Sequence, residues 1–487
     1  MKLFHLTIAG LGAILAGCTH QANDAAEPVP EAQQAAAPPP QAASGPAFER
    51  VGRDTPRHDA SGAAATRALA VCSGLWSAGQ SMQVIDATYP APEPLEAFPA
   101  EIDEQRKIVS VGYDDVMPPR IAAWRPVLGC LQLPAGATAD ALDGYLLFSD
   151  GSLTPNFDNE TWPMGDQDAV ASLSSEVEAR LGALVEQAFD GETYKGNSWA
   201  VLVVKNGKIV AEQYSDGYGM HIGGQTHSAA KSFAASVVGL GVRSYDVDVY
   251  AGKVLEQWSR PGDPRGEITV DHLIRMSSGL YTEGNGSPLM DVYRQGGTVA
   301  GRAASNILDQ PPGTRFLYSP PDTQLMLRAI HEAVGDDQTY LELPFRELFW
   351  KIGMTRTVPA TDWAGDYLMS GQTYSTARDF ARFGLLYLND GVWNGERILP
   401  DGWTDYVSKP GAAQPERGGN GYGGHFWLYG GQDGLPDQVY AAAGGQGQYI
   451  VIVPSEDLVV VRRGWDAGRN GFEIRKFTAD VIAALTE

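Results

Sequence analysis

The sequence predicts an α+β fold: an antiparallel sheet flanked by helices, a helical lobe beside it, and a mainly β region ahead of both. Three observations carry this expectation. "SWAVLVVKNGKIVAEQY" contains two strand-like runs joined by Asn206-Gly207, a strong hairpin signal. A long middle stretch reads as helices, from apolar residues recurring at helical spacing. Strand-like runs then return at "GGHFWLYGG", "DQVYAAAGGQGQYIVIVP" and "DLVVVRRGW", and the amphipathic "FEIRKFTADVIAAL" closes the chain.

A chain of 487 residues can hold two or three domains with sizeable cores. Its net charge of -23 argues against a nucleic-acid partner, which needs a basic face. Residues 1–18, "MKLFHLTIAGLGAILAGC", have Lys2, then an apolar run too short to span a bilayer as a mature helix, then small residues before Cys18. Leu15-Ala16-Gly17-Cys18 resembles a bacterial lipobox. That resemblance implies cleavage before Cys18, lipidation of its thiol and anchoring to the cell envelope. Thr19 in place of Asp points to the outer membrane, facing the periplasm. Residues 19–47, with "AAAPPPQAA" at their centre, cannot bury enough apolar surface to order themselves and read as a tether.

Cys72 and Cys130 are the two remaining cysteines. Export favours a disulfide between them; two buried thiols that never meet is the alternative. Residues 48–170 mix short apolar runs with Pro and Gly punctuation, which marks a small, mainly β region. "SSEVEARLGALVEQAFDG" then gives a helix that opens a second domain over 171–487.

After the hairpin comes "QTHSAAKSFAASVVGLGV", a helix of small and apolar residues that carries one lysine, Lys231, three places after Ser228. Three residues is close to one turn, so the two side chains share a face. A serine hydroxyl is a poor nucleophile until some group takes its proton. A lysine in apolar surroundings has its charged form disfavoured, so its neutral amine can be that base. A serine at a helix start also offers its backbone N–H to a developing oxyanion.

Ser-x-x-Lys alone is a weak signal, expected about once or twice by chance in a chain this long. Its setting is specific. "HSAAKSFAASVVGLGV", "ITVDHLIRMSSGL", "PPGTRFLYSPPDTQLMLRAI", "GQTYSTARDFARFGLLYLNDGVWNGERILPDGW" and "AAGGQGQYIVIVPSEDLVVV" follow one another in the order found in serine β-lactamases and penicillin-binding proteins. From about Trp199 to its end the chain resembles that superfamily, most of all its class C-like and 6-aminohexanoate-dimer hydrolase branch. The resemblance implies a β-lactamase/transpeptidase-like fold, an acyl-enzyme on Ser228, Lys231 as general base and Tyr318 as proton relay. No cofactor or metal is implied, and the histidines form no metal-ligand pattern.

Two departures narrow the substrate. Pro320 stands where the superfamily's Tyr-x-Asn element has its amide. Gly445, Gln446 and Gly447 align with the Lys-Thr-Gly element, with Gln448 offering the second oxyanion N–H. Both changes remove contacts that a β-lactam uses and favour a small ester or amide, unless Arg462 or Arg463 replaces the missing cation. Tyr281 and Tyr293, in the loop after "MSSGL", are candidate substrate contacts, and Gly279 is read as a helix cap. His227 and His425 are read as structural. The competing readings are a non-catalytic protein of the same fold that binds cell-wall peptides, and a D,D-peptidase or β-lactamase. Oligomeric state is not legible.

Overall fold

In the computed structural model the described residues are 56–88, 98–149, 151, 153–282, 289–416, 421–466 and 471–486. The leader, Cys18 and the tether lie outside them. Where mainly strands were expected, the first element is a 17-residue helix, α1 (Pro56–Cys72), with a second, α2 (Met82–Thr88), after it. The four strands follow: β1 (Ala100–Asp103), β2 (Ile108–Val111), β3 (Arg120–Arg125) and β4 (Gly129–Gln132), antiparallel in that order. Alanine is the best helix former and keeps α1 thin, so Ala64, Ala68 and Val71 lie directly on Val109, Val111 and Ala122. In the sequence those alanines fall in the mainly β region, because its short apolar runs and Pro and Gly punctuation dominate the pattern. Cys72, the last residue of α1, is disulfide-bonded to Cys130 of β4, with 6.1 Å between Cα atoms. The alternative of two separate thiols is thereby removed.

The boundary expected at 170/171 does not separate two bodies, since residues from Gly52 onward form one compact unit. Phe148, Trp162 and Ala169 enter the same core as Leu202 and Val204. The Trp162 indole donates to the Gly207 carbonyl at 2.8 Å.

α3 (Ser175–Gln187) starts where expected, its Ser174 cap accepting from the Val177 N–H. β5 (Ser198–Lys205) and β6 (Lys208–Tyr214) form the hairpin, with φ of 50° at Asn206 and 74° at Gly207, the two positive values that a type I′ turn requires. The chain continues through β7 (Gly224–Gln225) into the buried α4 (Ala230–Ser244). The helical lobe comprises α5 (Val270–Ile274), α6 (Leu289–Arg294), α7 (Val299–Arg302), α8 (Pro320–Val334) and α9 (Asp337–Pro344). β8 (Val358–Pro359) and β9 (Thr373–Ser375) join β7 in a small sheet ordered β7-β9-β8. Next come α10 (Ala377–Leu388), the hairpin β10 (Val392–Trp393) and β11 (Glu396–Arg397), and α11 (Trp403–Val407). The chain ends with β12 (Gly421–Tyr422), β13 (Trp427–Leu428), β14 (Tyr440–Gly444), β15 (Gln448–Val453), β16 (Leu458–Gly464) and α12 (Ile474–Thr486).

The seven-stranded sheet runs β12-β13-β14-β15-β16-β5-β6, antiparallel throughout. Alternation decides its two faces. Val201 and Val203 pack with Leu181 of α3 and Phe477 of α12, while Leu202 and Val204 pack with Phe233 of α4 and Phe380 of α10. Thr376 caps α10 as its spacing implies, accepting from the Asp379 N–H at 3.1 Å. Gly279 is not a helix cap, because α5 has already stopped at Ile274. Its φ is 75°, and a Cβ there would lie 2.1 Å from the Gln310 carbonyl oxygen.

Candidate active site

Ser228 stands on a single 3₁₀ turn, His227–Ala229, that runs straight into α4. The turn is pinned by the Thr226 N–H donating to the Thr373 carbonyl at 2.8 Å and the Ala229 N–H donating to Thr226 at 3.2 Å. His227 carries a left-handed φ of 46°, a costly conformation for a non-glycine residue, immediately before the serine. On the sheet side a Cβ at Gly444 would come within 2.3 Å of the Thr226 carbonyl oxygen and 3.1 Å of the Ser228 nitrogen. Only a glycine lets the end of β14 approach the Ser228 main chain this closely.

Lys231 is 1% exposed, one turn into a helix buried from Ala230 to Gly241. Its Nζ donates to Ser228 Oγ at 3.3 Å and, by a short hydrogen bond, to the Ser370 carbonyl. Burial alone pulls the amine down from its ordinary 10.5 to about 7. The ammonium lies 5.1 Å from the centre of the Tyr318 ring. Tyr318 precedes α8, which Pro320 starts at a position where a missing N–H costs nothing. Its ring stacks on Trp427 and meets the edge of Tyr422. Burial pushes the phenol up to about 12, while the Ser228 hydroxyl draws it back. At neutral pH the site therefore holds an un-ionised phenol beside an amine that is partly neutral.

Ser228, Tyr318 and Ser370 line a cavity of about 560 Å³, a size suited to a small molecule. Pro320, Gln446 and Tyr293 also line it. Tyr293 forms a short hydrogen bond with Ser370 Oγ, to which Gln324 Nε2 also donates at 3.3 Å, so it braces the residue whose carbonyl holds Lys231. Tyr281 is 44% exposed, is not among the lining residues, and donates its backbone N–H to the Ile307 carbonyl.

The glycine-rich element differs from its expected layout. Gly445, Gln446 and Gly447 form the turn between β14 and β15, with Gly445 against His227. Gln448 lies one strand further in, paired with Gly444. Its side chain is buried, donating to the Gln446 and Gly464 carbonyls and accepting from Arg463. The main chain that comes against the Ser228 nitrogen is that of Gly444, at the end of β14. Arg462 and Arg463 do not supply the missing cation, because the first is locked to Asp466 and the second to the Ser375, Gly224 and Gln225 carbonyls.

His425 is buried as expected, sharing a hydrogen bond with Thr323 at 3.0 Å. His227, expected to be structural, lines the cavity. Burial, reinforced by Arg463, lowers its imidazole to about 4, so it is neutral. Sequence reasoning missed Ser370, which acts through a main-chain carbonyl and so leaves no mark in residue type. It also missed the α1 wall formed by Thr66, Leu69 and Ala70. Asp158, Asp166 and His221 bring potential ligand atoms within 4.8 Å of one another, but Arg356, Arg378 and Arg382 already engage the carboxylates.

The Beta-lactamase family profile matches residues 181–462. The chain is 24% identical over 391 residues to a 6-aminohexanoate-dimer hydrolase of Paenarthrobacter ureafaciens, covering 72% of this chain and 91% of that protein. A solved structure of a Bacillus anthracis protein assigned as a 6-aminohexanoate-dimer hydrolase superposes with a TM-score of 0.51 at 21% identity, covering 62% of this chain and 81% of that one. A Bacteroides dorei protein assigned as a β-lactamase superposes with a TM-score of 0.52 at 20% identity, covering 62% and 98%. The two superpositions concern the fold alone.

Proposed function

The chain belongs to the Beta-lactamase family of serine hydrolases, and from that premise we propose that it cleaves small esters or amides through an acyl-enzyme on Ser228. The observation that carries this reading is Lys231, buried, with a pKa near 7 and its Nζ 3.3 Å from Ser228 Oγ. The neutral amine accepts the serine proton as Oγ attacks the substrate carbonyl. Negative charge then develops on the carbonyl oxygen, within reach of the Ser228 N–H and of a second main-chain donor from the glycine-rich segment between Gly444 and Gln448. The un-ionised Tyr318 hands a proton to the leaving group and is reprotonated from Lys231. Water enters by the same relay run in reverse and releases the acid.

Esters and open-chain amides are favoured over β-lactams because Pro320 offers no side-chain donor or acceptor and the glycine-rich turn carries no cation. Each lost charged hydrogen bond costs about 1.5 to 3 kcal/mol. The relative named for 6-aminohexanoate-dimer hydrolysis supports an amide of similar size as an alternative to an ester. A fluorophosphonate should leave an adduct on Ser228, located by mass spectrometry, and p-nitrophenyl butyrate should be hydrolysed with kcat/KM well above that for nitrocefin. No adduct would point to a binding protein; equal turnover of nitrocefin would remove the ester preference.

For location, we propose lipidation of Cys18, with residues 19–47 tethering the hydrolase to the cell envelope, in the outer membrane facing the periplasm. Cys18→Ala should release the protein into the soluble fraction. Retention in the membrane fraction would refute the anchor.

A further inference from the structure

The cavity walls have a charge pattern that the acyl-transfer chemistry does not use. The chain has 59 acidic residues and a net charge of -23, yet no Asp or Glu is among the lining residues. One of them, Arg294, is a permanent cation. Among the described residues it has no salt-bridge or hydrogen-bond partner. The acid on its own helix is not available to it, because Asp291 is held in a short ion pair by Arg302. Arg462 and Arg463 are fully buried and engaged. An open guanidinium in a cavity with no acid among its described lining residues creates a local preference for anions inside a strongly anionic protein.

Arg294 is also held in place. It follows Tyr293, whose hydroxyl braces Ser370 and, through that carbonyl, Lys231. Behind it, α6 is fastened to the N-terminal region. Gln295 Nε2 donates to the His58 carbonyl at 3.2 Å, Arg120 Nη1 donates to Gln295 Oε1 at 3.3 Å, and a Cβ at Gly62 of α1 would come within 2.8 Å of Gln295 Nε2, so the glycine lets this side chain, next to Arg294, pack close. The region over 48–170 thereby has a role, since it builds the wall on which the cation is mounted.

We propose that Arg294 is a specificity-determining residue, which pairs with a carboxylate carried by the substrate at a distance from the scissile bond, so that the preferred substrates are acidic esters or amides. Resting on the hydrolase reading above, this adds the charge class of its substrate. A carboxylate suits the planar fork of a guanidinium, which can bind both oxygens at once. An ammonium in the same place would meet a like charge and no counter-ion.

The test compares ester pairs on the full chain, each rate divided by that ester's hydroxide-catalysed rate. Mono-p-nitrophenyl glutarate against p-nitrophenyl butyrate places the carboxylate on the acyl side; 4-acetoxybenzoate against phenyl acetate places it on the leaving group. The wild type should prefer the anionic member of at least one pair, and p-nitrophenyl 6-aminohexanoate should be the poorest p-nitrophenyl ester. Arg294→Gln should lower that anionic-to-neutral ratio of kcat/KM at least tenfold, mainly through KM. Arg294→Lys should keep most of it, and Arg294→Glu should turn the preference toward the cationic ester. Equal ratios in wild type and Arg294→Gln for both pairs would overturn the proposal. The neutral fluorophosphonate separates the two readings, since its adduct on Ser228 does not depend on Arg294. If the adduct is absent, the hydrolase reading fails. Glutarate binding measured by calorimetry then decides this one, with binding lost in Arg294→Gln supporting it and no binding to wild type refuting it.

Discussion

Lys231 Nζ lies 3.3 Å from Ser228 Oγ and is held there by a second hydrogen bond, to the Ser370 carbonyl. The lysine has one geometry and one chemical option, which is to lose its proton. An arginine cannot take that option, because its guanidinium stays charged at every working pH. Ser228→Ala, Lys231→Ala and Lys231→Arg should each lower kcat for p-nitrophenyl butyrate by about 10³-fold or more, with folding checked by circular dichroism. Retention of a tenth of the activity in Lys231→Arg would mean that another group is the base.

The pH dependence follows from the same amine. The base must be neutral, and burial sets Lys231 near 7, so kcat/KM should rise with pH through a single limb centred near 7. Tyr318, pushed up to about 12, gives no falling limb below about pH 11. His227 is neutral well below the limb, and Asp322, raised by burial to about 7, contacts Ser278 rather than the reacting groups. Asp322→Asn should therefore leave the limb in place. Stability carries the opposite face of this shift. Between about pH 7 and 10.5 the unfolded chain binds a proton at Lys231 that the folded chain does not, so this residue's cost is full below 7 and fades as pH rises. Lys231→Met should raise Tm at pH 6.5, and the gain should vanish near pH 10.5. A gain that does not change with pH would contradict the low pKa.

Much of this site was legible because its chemistry is written in side chains at short spacing. Ser228 and Lys231 share a helical turn, Tyr318 precedes a proline-started helix, and Asn206-Gly207 fixed the hairpin that leads to them. The parts that escaped act through the main chain or across long separations. Ser370 contributes a carbonyl, which any residue could supply. Gln448 seemed to offer an N–H because its residue number followed the glycines, but strand register decides which main chain lies against the serine, and the end of β14, at Gly444, lies there. α1 escaped because alanine carries little periodic apolar signal, so its segment was absorbed into the mainly β reading of 48–170. Only the partner surface, Val109, Val111 and Ala122, sets the helix apart.

The disulfide tests whether that helix matters to the site. Cys72 and Cys130 are separated by 58 residues, and closing such a loop stabilises by roughly 4 kcal/mol in the chain-entropy treatment. Cys72 also ends the helix that places Thr66, Leu69 and Ala70 on the cavity wall. Cys72→Ser/Cys130→Ser should lower Tm and raise KM more than it lowers kcat, because Ser228 and Lys231 are held by other elements. A fall in Tm without any change in KM would show that the wall keeps its position without the bridge.

Gly444→Ala is the sharpest test of the arrangement beside the nucleophile. A methyl group there would sit 2.3 Å from the Thr226 carbonyl oxygen, 2.9 Å from the Ala229 nitrogen and 3.1 Å from the Ser228 nitrogen. The first of these is well inside contact distance, and all three atoms are backbone, so no side-chain rotation can relieve the clash. Either β14 or the His227–Ala229 turn must move back. The turn is the weaker of the two, since β14 is paired with β15 along its whole length while the turn already carries the strained His227. A shift of about 1 Å in a catalytic group costs on the order of 10²-fold in rate. Gly444→Ala should therefore lower kcat by about that factor, with a smaller change in Tm than a core truncation such as Phe233→Ala produces. Fluorophosphonate labelling of Ser228 should slow in parallel. Full activity in Gly444→Ala would mean that the close approach of β14 to Ser228 is not part of the machinery, and the second oxyanion donor would have to be sought elsewhere on the cavity wall.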